Sequence, residues 1–311
     1  MKWMNRALCV LAAGSLCACV EGAGDDDQMW LDMVDEGDHR APDALAPNAL
    51  VPNALSPSTI SPSAINPNAI NPNAINPNAI NPNAINPNAL SPSALSTATM
   101  SASLLATIKD PGPSGDLSRQ LVRYLVGCAF TPSQSLSFTW TDASGVPHPE
   151  VYWGLLSLAP AWASGPLDDD GQRWVTACIA SRTNWYGTPV NISARGDHPA
   201  LEPLDADEKV GYPREEGAFW GNMFAPTPWL KACHYDPNIA HSRDLLRDCA
   251  AGHVDADGTI QECGIIDIVG SCDTACDSLD LSGLLHPKCF EDPHASTKVK
   301  TDKVITIFLP L

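Results

Sequence analysis

The sequence predicts an α+β fold: a single disulfide-stabilised C-terminal domain behind a low-complexity proline-repeat stalk. Three observations lead there. Helix-like and strand-like periodicities mix along residues 106–311 without the regular βαβ alternation of a parallel sheet. Eight cysteines fall in that same stretch. From Ala41 the chain repeats every five residues with proline in second place, which forbids both a helix and a continuous central strand. Charge narrows the function. With 36 acidic against 18 basic residues the net charge is −18, and no basic patch is concentrated enough to neutralise phosphates, so nucleic acid is excluded as a partner. No apolar run approaches the ~20 residues of a spanning helix.

The N-terminus reads as an address. Lys2 and Arg6 precede a mostly apolar run, Ala7–Leu16, followed by Cys17-Ala18-Cys19. A basic start, a short apolar stretch and small residues at its end define a signal peptide over residues 1–18. Leu16-Cys17-Ala18-Cys19 resembles the lipobox of bacterial lipoproteins, which implies lipidation of Cys19 and a membrane partner held through that anchor. Several acyl chains hold a protein stably where one is marginal. Val20 follows the cysteine, where an aspartate would favour the inner membrane, so the expectation is an outer-membrane or cell-surface protein. Residues 19–40 are acidic, with Asp25, Asp26, Asp27, Asp32, Asp35, Glu36 and Asp38 close together. Such a run extends by self-repulsion and serves as a spacer.

The stalk spans residues 41–105. Eleven consecutive pentads carry Pro42 through Pro92, in forms such as APNAL, SPSAI and NPNAI, and two degenerate units without proline follow. Asn-Pro-Asn-Ala favours a type I turn, proline presetting φ and asparagine bonding back to the backbone. A pentapeptide-repeat coil needs a small residue two places before its inward aliphatic; here Asn68 stands two before Ile70. A semi-stiff stalk fits better, reaching ~190 Å if fully extended and roughly 45 Å as a coil.

In the domain, residues 106–311, Asp110-Pro-Gly-Pro-Ser-Gly supplies turn chemistry, and 116–128 follows as a helix. Leu117, Leu121, Leu125 and Cys128 share its inner face, with Arg119 and Arg123 off it. Ser135–Thr141 alternates as a strand and Ser144-Gly145 marks a turn. The glycine-interrupted run 151–158 is apolar. A second helix is predicted over 171–186, closed by Gly187, with Asp168, Asp169 and Asp170 suiting its dipole. Residues 190–194, 265–269 and 304–309 read as strands.

Cys128, Cys178, Cys233, Cys249, Cys263, Cys272, Cys276 and Cys289 form an even set in an exported chain, a disulfide framework whose pairing the sequence leaves open. Cys128 and Cys178 lie on two predicted helices that a bridge could join. The other six crowd into residues 233–311, a disulfide-dense, loop-rich subdomain. No Cys-x-x-Cys pair points to zinc.

Catalytic motifs are missing: no His-Glu-x-x-His, Gly-x-Ser-x-Gly, phosphate loop or dinucleotide fingerprint occurs, and no cofactor is expected. Three polar patches hold the candidate acids and bases. Arg195-Gly-Asp-His198 offers His198, and its Arg-Gly-Asp tripeptide reads as coincidence. Residues 215–222 offer Glu215 and Glu216, two carboxylates near aromatic rings as a glycosidase needs, though adjacent side chains diverge. The third patch holds His234 and His241. Asp255 and Asp257 resemble the middle of a calcium loop, but His253 and Gly264 replace its first and last acids, so a turn in a cystine loop is the plainer reading. Of seven tryptophans in the domain, most should be internal; Trp185 and Trp220, with Tyr186, are the candidates for a partly exposed ligand platform.

The succession DLSRQLVRYLVGC, GLLSLAPAW, QRWVTACIASRTNWYGTPVNISARG and EEGAFWGNMF, with the closing cysteines and the proline repeat, resembles uncharacterised surface lipoproteins of social, predatory soil bacteria. That resemblance implies a shared exported architecture and carries over no catalytic residue. The expected function is a lipid-anchored surface protein whose domain binds an extracellular glycan or envelope protein, or is structural. The alternative is an extracellular hydrolase using the carboxylates and histidines above.

Overall fold

A computed structural model of the chain describes residues 95–187, 190–203 and 206–311. The signal peptide, Cys19, the acidic spacer and the repeat through residue 94 lie outside the described residues. What is described is α+β, stapled by four disulfides. Among the described residues no helix is long and apolar enough to cross a membrane.

The first helix, α1 (Ala102–Ile108), is capped by the Ser101 side chain, which accepts from Leu104 N–H. It straddles the boundary expected at residue 106. The chain packs onto the domain earlier still: Leu95, last residue of the final proline pentad, is buried, and its N–H donates to the Trp162 carbonyl at 2.7 Å. Helix α2 (Pro113–Ala129) has proline in its first turn, where the missing N–H costs nothing. It buries Leu121, Val122, Leu125, Val126 and Cys128. Arg119 is not on the outer face; it is buried, donating to the carbonyls of Ile108 (2.9 Å) and Asp110 (2.7 Å) and lying over the Trp140 ring. Strands β1 (Ser135–Thr141) and β2 (Pro147–Trp153) form an antiparallel hairpin whose turn places Gly145 at φ 83°.

Helix α3 (Asp169–Arg182) is capped by Asp168, whose Oδ1 accepts from Gly171 N–H at 2.8 Å. It ends four residues before the expected 186. The reason is Arg247, whose guanidinium donates to the carbonyls of Ser181 (3.1 Å) and Thr183 (3.0 Å) and so caps the helix where Gly187 was expected to. Cys128–Cys178 joins α2 to α3, as those positions suggested.

The main sheet has five strands: β3 (Ser193–Arg195), β4 (Arg214–Asn222), β5 (Trp229–His234), β8 (Ile266–Ser271) and β11 (Ile305–Leu309), in the order β3-β11-β4-β5-β8. All pairs are antiparallel except β5 with β8. One face, with Phe219, Leu230, Ala232, Ile305, Ile307 and Leu309, joins the core that includes α2 and α3. The other face carries Ala218, Trp220, Val269 and Val304 and is covered by cystines, forming a second, smaller core with Cys233, Cys272, Cys276 and Cys289.

The alternation of β4 is broken once. Gly217 pairs with Ile307 and Glu215 with Phe308, leaving Glu216 unpaired as a bulge. A bulge inserts one residue and re-aims the side chains around it.

Candidate functional site

The bulge decides what the two glutamates can do. They do diverge, and neither meets water. Glu216 and Arg247 form a fully buried pair, with Arg247 Nη2 and Nε at 2.6 and 3.1 Å from Oε2. Burial pushes the Glu216 carboxyl above the usual carboxylate range, Arg247 pulls it back only in part, and Asp248 adds to the upward push. Glu215 meets His286 at 2.8 Å, also buried. The second ring nitrogen of His286 lies 2.6 Å from the Asp277 carbonyl, so both nitrogens face acceptors and the ring is held as an imidazolium. Burial opposes that charge, but the hydrogen bonds to Glu215 and Asp277 and the charges of Glu215 and Asp273 outweigh it, and the His286 pKa is raised.

The other predicted residues scatter. His234 Nδ1 lies 2.8 Å from Asp236 without the alignment of a hydrogen bond, and His241 meets the Pro310 carbonyl at 2.6 Å. Arg195 is buried over the Phe308 ring and donates to Ser193 Oγ, so the Arg-Gly-Asp tripeptide is not presented. Trp220, expected to be partly exposed, is completely buried on the cystine face, its Nε1 donating to the Phe290 carbonyl at 2.9 Å. As an inward position of a central strand it has no route to solvent.

Asp255 and Asp257 hold the turn between β6 (His253–Val254) and β7 (Ile260–Gln261), inside the loop closed by Cys249–Cys263. Asp257 Oδ1 accepts from Thr259 N–H, and Asp255 Oδ2 accepts from the Gln261 amide. The metal-ligand types that cluster among the described residues are Glu215, Cys272 and His286. Cys272 is bonded to Cys233, and a disulfide sulfur is not the thiolate a metal requires.

Two places do gather site chemistry. At the first, Trp185 and Tyr186 converge on His253. The Trp185 and His253 rings stack at 4.4 Å and 8°, and Tyr186 meets the same ring edge-on. The buried carboxylate of Asp248 accepts from Tyr186 Oη at 2.9 Å and from His253 Nδ1 at 2.7 Å. Asp255 lies 3.8 Å from the other nitrogen of His253. Held between two carboxylates, His253 is a clamp on the aromatic pair. Asp248 was not singled out in sequence and His253 was named only as a departure from a calcium loop, because five residues of separation and a cystine loop gave no motif.

The second is a pocket of about 340 Å³ beside the start of α3. Trp162 and Trp174 are among its lining, with Leu158, Leu167, His198 and the carboxylates of Asp168 and Asp170. Asp168 Oδ1 is engaged in capping, and Asp170 faces Lys303 at 3.3 Å. His198 packs edge-on against Trp174, and its Nδ1 accepts from Ala200 N–H at 3.1 Å, which places the proton on Nε2. Burial holds its pKa below the ordinary range, so the ring is neutral and offers one donor. Of the five predicted acids and bases, His198 lines this pocket and Glu215, Glu216, His234 and His241 do not. Comparison with known proteins found no matching family model, curated protein or solved structure.

Proposed function

We propose that the chain is an exported lipoprotein, anchored through Cys19 and lifted on its acidic spacer and proline stalk, whose C-terminal domain binds an extracellular glycan. The pocket beside α3 carries this reading. Its volume falls within the ~300–1,000 Å³ of small-molecule sites. Its lining sets apolar side chains beside carboxylates and one neutral imidazole donor, which matches a sugar, whose C–H groups meet apolar atoms and whose hydroxyls meet polar ones. A hydrolase reading is less favoured, because Glu215 and Glu216 are buried away from this pocket, and Asp168 and Asp170 within it are engaged in capping α3 and facing Lys303. Four disulfides accord with export to an oxidising compartment.

Full-length Cys19→Ser protein, lacking the lipid, should bind at least one member of a glycan panel. His198→Ala should weaken that binding about ten-fold, the worth of one polar contact of ~1.4 kcal/mol. Absence of glycan binding, or affinity indifferent to His198→Ala, overturns the assignment. Metabolic labelling with a fatty-acid analogue should mark the wild type and not Cys19→Ala; persistent labelling overturns the anchor.

A further inference from the structure

Two of the four disulfides touch. Cys233–Cys272 ties β5 to the short helix α4 (Cys272–Ala275), and Cys276–Cys289 ties the end of α4 to β9 (Cys289–Phe290). Cys233 Sγ lies 3.6 Å from Cys276 Sγ, both buried, so a thiolate at Cys276 would sit in contact with a sulfur of the neighbouring bridge. Cys276 is also the most accessible of the four, 8% exposed against at most 1% for the others. Beside the second sulfur of that neighbouring bridge stands the buried Glu215–His286 pair: ligating atoms of Glu215, His286 and Cys272 all lie within 4.8 Å of one another. Exchange proceeds by thiolate attack on a disulfide and is faster when the departing sulfur is stabilised as a thiolate. The adjacent His286 imidazolium supplies that stabilisation, which the Glu215 carboxylate paired with it reduces.

We propose that Cys233, Cys272, Cys276 and Cys289 form a thiol–disulfide exchange centre opened by an external dithiol, with Cys272 as the thiolate it releases. The dithiol first reduces Cys276–Cys289 and is itself oxidised to a disulfide, leaving two protein thiols. Cys276, the most accessible of the four, then loses its proton to solvent and attacks Cys233. The Cys233–Cys276 bond forms, the Cys233–Cys272 bond breaks, and the electron pair leaves on Cys272 beside His286. The second step consumes no electrons. It leaves a reactive thiolate at Cys272; β9 has already lost its link to the end of α4 in the first step.

The full chain carrying Cys289→Ser leaves Cys276 without its partner and tests the second step without reductant. After alkylation under denaturing conditions, peptide mapping should find Cys233–Cys276 bridged and Cys272 alkylated. An intact Cys233–Cys272 bridge with Cys276 alkylated overturns the proposal. Wild-type protein treated with limiting dithiothreitol and acid-quenched tests it without a substitution: Cys272 and Cys289 should be alkylated together. Alkylation of Cys276 with Cys289, and Cys233–Cys272 intact, overturns it. His286→Gln added to Cys289→Ser should lower the ratio of Cys272-alkylated to Cys276-alkylated protein about ten-fold, as for one unit of thiol pKa; an unchanged ratio removes His286 from the device.

Discussion

Arg247 does three jobs with one guanidinium: it neutralises Glu216, ends α3, and satisfies the carbonyls of Ser181 and Thr183. Removing one partner from a buried ion pair leaves an uncompensated charge, which costs ~3–5 kcal/mol. Arg247→Met should therefore lower the unfolding free energy by about that much, read from urea denaturation. Glu216→Gln added to Arg247→Met should restore part of it, since no buried charge is then left alone. The second ionic pair makes a pH prediction. The His286 pKa is raised above its reference of 6.5, so the stability it contributes is fully present below pH 6.5 and is lost as pH rises through the folded-state value. The wild type should lose more stability between pH 5.5 and 8.5 than His286→Gln, compared by urea midpoints at the two pH values. Equal losses would mean that His286 does not titrate as the geometry requires.

At the scale of elements, β4 organises the molecule and was the hardest to see. Its neighbours were legible: alternation in SLSFTWT gave β1 to the residue, and the aliphatic run near the C-terminus gave β11. Residues 215–222, nearly all of this strand, read instead as a polar patch, because Glu215 and Glu216 suggest solvent and Gly217 and Gly221 interrupt the alternation. Both signals mislead for a physical reason. The acids are buried because His286 and Arg247 lie far along the chain to receive them, and a single sequence does not display pairs separated by 71 and 31 residues. Glycine at 217 meets a close approach: a Cβ there would stand 2.0 Å from the Cys233 carbonyl oxygen on β5. Gly217→Ala should push the two strands apart and cost about 1–3 kcal/mol or more, the range for overpacking. The same approach fixes Cys233 against its bridge, so this variant should also change the protection of Cys233–Cys272 from reductant. The site was legible in the same partial way. His198 was named and does line the pocket, but nothing in sequence marked Trp162 and Trp174, which belong to the core and form the pocket's buried wall.

For the whole molecule the question is where the stalk stops. Composition places the change at residue 106, where proline periodicity has ended, yet the pentad period and the fold do not end together. Leu95 still occupies the aliphatic position of a proline-bearing unit and is buried at 4% exposure; Leu104, inside the second degenerate unit, is buried at 3%. An aliphatic residue every fifth position buries little surface when the units stand alone, but beside a preformed core the same side chain becomes a packing group. Loss of proline after Pro92 is what allows α1 to form, and α1 brings Ile108 under Arg119, whose guanidinium holds its carbonyl. The degenerate units thus belong to the domain. A chain beginning at residue 106 lacks Leu95, Leu104 and the start of α1, whereas one beginning at residue 95 keeps all of them. The shorter chain should be less stable by about 2–5 kcal/mol, the range for deleting a buried leucine, because the entropy of ordering the extra turns offsets part of the larger loss. Parallel urea denaturation of the two chains measures the difference. Equal midpoints would place the boundary back at 106 and make Leu95 a passenger on the surface of a domain that does not need it.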